Sequence, residues 1–368
     1  MRTRDSASLP STQPARRGSA EMEEQILNLE GSASRVDPTT ARYQLGPVVG
    51  SGGMGRVFAV EDRDPGRTVA VKTIHPDWRD PLNRTRFINE ARATSQLQHP
   101  NILSVYDLGI DGQGTPFYTM PLVTGRTLSE VVTHLQTGDL AAHQEFSLAR
   151  CLLMLQQLCE AIQYTHDRGV LHRDIKPENV MVGTFGELYL MDWGLASGSL
   201  ETASDQVVGT PGYMAPELLS RGESTQSGDL YSLGALSYEL LTLTPAHPGD
   251  SLPLRLAANL KTPRAADALR HPGQGRIPKE ISNIVMRLLH TDPARRFASA
   301  REVRAAIQDY LDGEAPVTCL CTGAKRATFE VGHLIDQLGS VAVVLAGAWL
   351  VLPLLFLVLL LTGVLHYG

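Results

Sequence analysis

This chain has little cysteine, little net charge and no long apolar run near its start, and each shortage removes a class of protein. Four cysteines in 368 residues argue against a disulfide scaffold. A formal net charge of −6, with both signs mixed along the chain, argues against a nucleic-acid binder. Met1–Glu30 holds no apolar stretch long enough for a secretory signal peptide. Residues 1–42 are rich in Ser, Thr, Arg and Pro and show little apolar periodicity, the pattern of a disordered tail. Cys151 and Cys159 sit in Leu148–His166, an apolar-periodic helix, and read as core thiols. Cys319 and Cys321 read as bystander thiols, with lipidation or a redox bridge to a second chain as alternatives.

What is present is concentrated in His172-Arg173-Asp174-Ile175-Lys176-Pro177-Glu178-Asn179, followed thirteen residues later by Asp192-Trp193-Gly194. A carboxylate, a lysine, an amide and a second carboxylate on one strand-loop-strand unit are the groups that metal-assisted phosphoryl transfer requires. Asp174 can accept a hydroxyl proton, Lys176 can neutralise the travelling phosphoryl group, and Asn179 and Asp192 can hold a metal ion. Eight ordered residues and a correctly spaced Asp are a specific signal, unlike an ordinary polar loop.

On these residues the chain resembles the Ser/Thr protein kinases, and most of all their bacterial, Hanks-type members. The resemblance extends upstream. Gly50-Ser51-Gly52-Gly53-Met54-Gly55-Arg56-Val57 fits a glycine-rich loop whose backbone N–H groups approach phosphate, which side chains would prevent. Lys72, closing the apolar run Thr68-Val69-Ala70-Val71, is implied to pair with the α- and β-phosphates, with Glu90 in the helical stretch Arg84–Leu97 as its ion partner. Phe117–Val123 resembles the strand and hinge between two lobes. Met120 then stands at the gatekeeper position, and the Pro121 carbonyl and Val123 backbone meet the adenine edge. Relatives often carry Glu where Pro121 stands; proline loses an N–H but keeps its carbonyl. Val57, Ala70 and Met181 are implied to sandwich the ring. The cofactors implied are ATP and Mg2+, with Mn2+ as the alternative ion.

The resemblance also implies that Asp192–Glu217 is an activation segment. Gly209–Glu217 would dock a peptide, Thr210 would bond Asp174 and Lys176 as in Ser-specific and Thr-specific enzymes, and Glu217 would pair with Arg296. Asp229 would start a core helix and brace the catalytic loop. Trp193 stands where Phe is usual, and its larger indole needs a partner for its N–H. Arg173 would receive a phosphate from the segment, with Ser197, Ser199, Thr202 and Ser204 as acceptors and autophosphorylation as the route.

Val341–Leu361 reads VAVVLAGAWLVLPLLFLVLLL without a charge, and about twenty such residues span a bilayer as a helix. Lys325 and Arg326 on the near flank, with no Lys or Arg after the run, place the preceding domain in the cytoplasm. The expected organisation is a tail (1–42), a catalytic domain (43–312), a juxtamembrane linker (313–339) and a transmembrane helix (340–365), making a single-pass, tail-anchored protein of the inner membrane. The fold class expected is α+β and bilobal, with a small β-rich lobe (about Tyr43–Met120) and a larger helical one (about Leu122–Asp312). Expected partners are protein substrates, the membrane and, for trans-autophosphorylation, a second copy; Ala342 and Ala346 offer a small packing face. Two other functions compete: a membrane-tethered pseudokinase scaffold, which calls for loss of Lys72, Asp174 or Asp192, and a small-molecule phosphotransferase, which lacks a Gly209–Glu217 segment.

Overall fold

The computed structural model describes residues 42–52, 55–75, 80–193, 209–221, 224–249, 261–266, 270–271 and 275–314, with isolated positions beyond. Gly53 and Met54, the expected acceptors Ser197, Ser199, Thr202 and Ser204, the pair Cys319 and Cys321, the tail 1–41 and the apolar run Val341–Leu361 lie outside the described residues. Among the described residues no helix is long and apolar enough to cross a membrane.

Alternating, β-branched sequence builds the first lobe. Strands β1 (Tyr43–Ser51), β2 (Gly55–Asp62), β3 (Arg67–Ile74), β4 (Asp107–Ile110) and β5 (Pro116–Pro121) form one antiparallel sheet in the order β1-β2-β3-β5-β4. Register decides its two faces, because directly paired residues and every second residue share a side. Val60, Val69, Val71 and Phe117 close a small core with Tyr43 on one face. On the other lie Val57, paired with Lys72, which is paired with Tyr118, and Ala70, paired with Met120. That second face receives helix α1 (Pro81–Ser95), whose Phe87 and Ala91 pack with Ile74 and Tyr118. Asp80 caps the helix by accepting from the Asn83 N–H at 3.1 Å, and Pro81 fills the first turn, where its missing N–H costs nothing. Gly55 is needed because a Cβ there would sit 2.2 Å from the Thr73 carbonyl oxygen on β3.

The second lobe is helical. It comprises β6 (Gly125–Thr127), α2 (Leu128–Gln136), α3 (Leu140–Glu145), α4 (Leu148–His166), β7 (Val180–Gly183), β8 (Leu188–Leu190), α5 (Pro216–Arg221), α6 (Gln226–Thr242), α7 (Lys279–Leu288) and α8 (Ala300–Leu311). A capping box at Thr127 and Glu130 starts α2, and Ser147, Thr225 and Ser299 cap α4, α6 and α8. A single buried cluster runs through α2, α4, α6, α7 and α8 and includes both Cys151 and Cys159. The bilobal α+β arrangement expected from the sequence is therefore the observed one. The β6-β7-β8 sheet carries the segment between His172 and Trp193 on this rigid base.

Candidate active site

The sheet register brings Lys72 to the cleft face, and α1 brings Glu90 against it. The Lys72 ammonium lies 2.8 Å from Glu90 Oε1 and 2.6 Å from Asp192 Oδ1, the latter from the start of the segment after β8. Lys72 is 7% exposed and Glu90 2%, so neither charge could stand there alone. Burial pushes the ammonium toward neutrality, but the carboxylates of Asp192 and Glu90 more than offset it and hold its pKa well above the ordinary value. Beside Lys72 the Asp192 carboxyl in turn stays below the ordinary carboxylate range. The Tyr118 hydroxyl donates to the same Glu90 oxygen at 2.8 Å. Sequence reasoning missed this tyrosine, although its pairing with Lys72 across β3 and β5 is a consequence of register.

The 3-10 turn Pro177–Asn179 folds the catalytic-loop residues onto one another. Asp174 Oδ2 lies 2.7 Å from the Lys176 ammonium, and the Asn179 amide donates to the Asp174 carbonyl at 2.8 Å and to Oδ2 at 3.1 Å. Thr210, reaching in from the distant Gly209–Glu217 stretch, donates to Asp174 Oδ1 at 2.7 Å and accepts from Lys176 at 2.6 Å. Asp174, Lys176 and Asn179, three of the four residues named from the motif, are thus brought together, with Thr210 in the place expected for it.

The loop is held from beneath. Asp229, in the first turn of α6, accepts from the backbone N–H groups of His172 and Arg173, both at 2.9 Å, and meets His166 Nε2 at 2.8 Å. Arg173 and Asp192 adopt left-handed backbone at φ 68 and 60, a conformation uncommon outside glycine. His172, named in the motif but given no role there, joins the two halves: Nε2 donates to the Met191 carbonyl at 2.9 Å and Nδ1 accepts from the Asp174 N–H at 3.3 Å. That pattern requires the neutral ring, and burial lowers its pKa accordingly. Trp193 is fully buried with its ring 4.5 Å from that of His172, and its indole N–H finds the Leu190 carbonyl at 3.3 Å. Farther off, Arg296 grips Glu217 through both oxygens at 2.6 and 2.7 Å, the architectural bridge expected.

The remaining residues named from the sequence divide between the lobes. Val57, Ala70 and Met120 share the cleft face of the sheet, Met120 packing against the cluster of Ile74, Phe87, Ala91 and Tyr118. Pro121 ends β5, paired with Val69, and Val123 follows it half-buried. Met181 is half-buried on β7, between Thr127 and Tyr189. Gly50, Ser51 and Gly52 close the β1–β2 turn, where Gly52 N–H donates to the Gly55 carbonyl at 3.0 Å. A Cβ on Gly52 would meet no described atom within 4 Å, so room remains beside this backbone for a phosphate. Among the described residues no three His, Cys, Asp or Glu side chains converge as a closed metal cage. Asp192 and Asn179 instead offer two oxygen donors, which suits a hard cation that completes its shell with water and phosphate.

A bilobal α+β domain with a buried Lys–Glu–Asp cluster and an Asp–Lys–Asn–Thr loop in its second lobe defines a class. Residues 43–308 match the protein kinase domain model, and the chain belongs to that family. Its kinase domain is of the serine/threonine type. The serine/threonine-protein kinase PknD of Chlamydia muridarum is 34% identical over 310 residues, covering 75% of this chain and 32% of that protein. A sequence from Streptomyces coelicolor, named a "probable serine/threonine-protein kinase", is 38% identical over 306 residues, covering 80% of this chain and 44% of its own length. The PknD of Protochlamydia amoebophila is 34% identical over 303 residues, with 76% and 31% covered. The chain thus spans less than half the length of these relatives.

Proposed function

We propose that this protein is a membrane-anchored serine/threonine protein kinase that moves the γ-phosphate of ATP to protein hydroxyls, its own activation segment included. The observation that carries the reading is the Thr210 hydroxyl, which bridges Asp174 and Lys176 at 2.7 and 2.6 Å and ties the peptide-docking stretch to the catalytic loop. Asp174 accepts the proton of the substrate hydroxyl. Lys176 stands beside it to balance charge on the transferred group. Lys72, held by Glu90, meets the α- and β-phosphates, while Gly50, Ser51, Gly52, Gly53, Met54 and Gly55 wrap the triphosphate. Val57, Ala70, Met120 and Met181 enclose the adenine, with its edge on the Pro121 carbonyl and Val123 backbone. Asn179 and Asp192 would hold Mg2+, which when bound neutralises charge on the phosphate oxygens. Positioning and charge supply the rate, with no covalent enzyme intermediate.

The test uses the full chain, radiolabelled ATP and a generic protein substrate. Asp174→Asn and Lys72→Met should each abolish transfer while leaving the chain folded; wild-type turnover in either would refute its role. A wild-type chain that binds nucleotide but transfers none would favour the scaffold reading. Regulation and anchoring are checked separately. Mass spectrometry after incubation with Mg-ATP should find phosphate between Ser197 and Ser204, and a fully active but unmodified segment would sink that part. Anchored by Val341–Leu361 in the inner membrane, the full chain should resist alkaline extraction from membranes. Its recovery in the soluble fraction without detergent would overturn the anchor. Chemical cross-linking of membranes tests for the second copy that trans-autophosphorylation needs.

A further inference from the structure

Phe185, at the tip of the β7–β8 turn, is 96% exposed, more than any other large apolar side chain among the described residues. The turn that carries it is well made. Glu187 accepts from the Phe185 N–H at 3.0 Å, Gly186 N–H donates to the Gly183 carbonyl at 3.0 Å, and Gly183 N–H donates to the Glu187 carbonyl at 2.8 Å. The phenyl is therefore held in water by a closed turn. Arg150 of α4 lies against this turn: a Cβ on Gly186, which has φ +89, would come 2.8 Å from its Nη2. Among the described residues no carboxylate pairs with Arg150, and its buried Nε has no hydrogen-bond partner. One turn farther along α4, Leu153 is 52% exposed. A phenyl, an unpaired guanidinium and a leucine thus share one strip, and arginine is a residue type enriched where interfaces are anchored.

The chain contains a segment of matching chemistry. Glu21–Glu30 reads EMEEQILNLE, with four carboxylates, no base, and Met22, Ile26, Leu27 and Leu29 between them. The tail meets the described domain at Arg42. Arg42 lies 3.6 Å from the Asp107 carboxylate, and the preceding Tyr106 sits under the Arg67 guanidinium at 4.2 Å. Ile102, five residues before Asp107, forms a bridge to Leu190 at the end of β8. Tyr189 is on β8, four residues from Phe185. The eleven residues between Glu30 and Arg42 reach up to about 35–40 Å when extended. Four strand residues cover only about 13 Å. We propose that Glu21–Glu30 docks in cis on the strip of Arg150, Leu153 and Phe185, its carboxylates on the guanidinium and its apolar side chains against the phenyl and the leucine. The tail then braces the hairpin that leads into Asp192, whatever the fate of the phosphotransfer reading.

A photoreactive benzophenone amino acid replacing Phe185 in the full chain tests this directly. Irradiation and mass spectrometry should map cross-links to residues 21–30. Mixing light and isotopically heavy chains should give light–light and heavy–heavy products only. Light–heavy products would assign the strip to a second copy and overturn the proposal, as would cross-links solely to other proteins or none at all. Hydrogen exchange of residues 21–30 gives an independent reading. Phe185→Ser, which removes a side chain that packs on almost nothing, should speed that exchange about tenfold, and so should Arg150→Ala. If Arg150→Ala unfolds, Glu23→Lys with Glu24→Lys on the tail takes its place. Exchange unchanged in Phe185→Ser would refute docking.

Discussion

Asp229→Asn separates bracing from catalysis. The carboxylate serves three donors, with Oδ1 taking Arg173 N–H and Oδ2 taking His172 N–H and His166 Nε2. An amide has one acceptor oxygen, so in either orientation its NH2 faces one of the two backbone N–H groups. The loss is one charge-assisted hydrogen bond and one buried donor without a partner, together about 3 kcal/mol. For a domain of this size each kcal/mol is worth about 2–4 °C, so Tm should fall by roughly 6–12 °C. The second effect is kinetic. Arg173 holds φ 68, at a cost of about 1–2 kcal/mol for a residue with a Cβ, and Asp229 is its anchor. Released, the backbone relaxes and carries Asp174 with it, and a displacement of about 1 Å is worth about 100-fold in rate. The assays are a thermal melt and steady-state peptide phosphorylation well below the lowered Tm. kcat should drop by about two orders of magnitude, with KM for ATP nearly unchanged, since Lys72 and Glu90 do not touch Asp229. A variant with lowered Tm but wild-type kcat would refute the link to Asp174. Wild-type values of both would refute the whole argument.

Other outcomes follow from the same geometry. Tyr118→Phe removes one of the donors to Glu90 and should cost about 1 kcal/mol of stability and up to about tenfold in kcat/KM for ATP; a loss as complete as that of Lys72→Met would show that Tyr118 does more than support Glu90. Burial holds the His172 pKa below its usual 6.5, so the unfolded chain takes up the proton first as pH falls. The associated stability is therefore full above about pH 6.5 and is lost as pH drops toward the folded-state pKa, where Nδ1 can no longer accept from Asp174. Urea melts at pH 7.5 and 5 should show this, and His172→Phe should flatten the difference; an equally steep variant would refute the assignment. Burial pushes the thiols of Cys151 and Cys159 up to about 12, so iodoacetamide at pH 8 should leave both unmodified until denaturant is added. Rapid labelling of the native protein, read by mass spectrometry, would contradict their burial.

The catalytic loop was legible because its groups are contiguous: Asp174, Lys176 and Asn179 fall within six residues, and one short turn brings them together. Pairings that cross the chain were legible only through family likeness, as with Lys72 and Glu90 or Glu217 and Arg296. Those that likeness did not supply went unread. Tyr118 reaches Glu90 through the register of β3 and β5, which no local pattern encodes. His172 links Met191 to Asp174 only because the β7–β8 hairpin folds back beside it. The α4 helix ran as expected from Leu148 to His166, since its apolar period and Ser147 cap are both local signals. Helix α1 starts at Pro81, one turn before the expected Arg84, because Asp80 and Pro81 form a start signal outside the periodic stretch.

The indole that replaces the usual phenyl beside Asp192 gives the site a built-in fluorophore. The sequence holds three tryptophans, of which Trp193 alone falls among the described residues. Sealed from water, it should emit at short wavelength. With its ring centroid 4.5 Å from that of His172, it should dim when that imidazole takes a proton, because a charged imidazolium quenches indole emission. With Trp78 and Trp349 changed to Phe, the emission of the unlabelled chain becomes a continuous optical record of what happens next to Asp192, in real time and without a label.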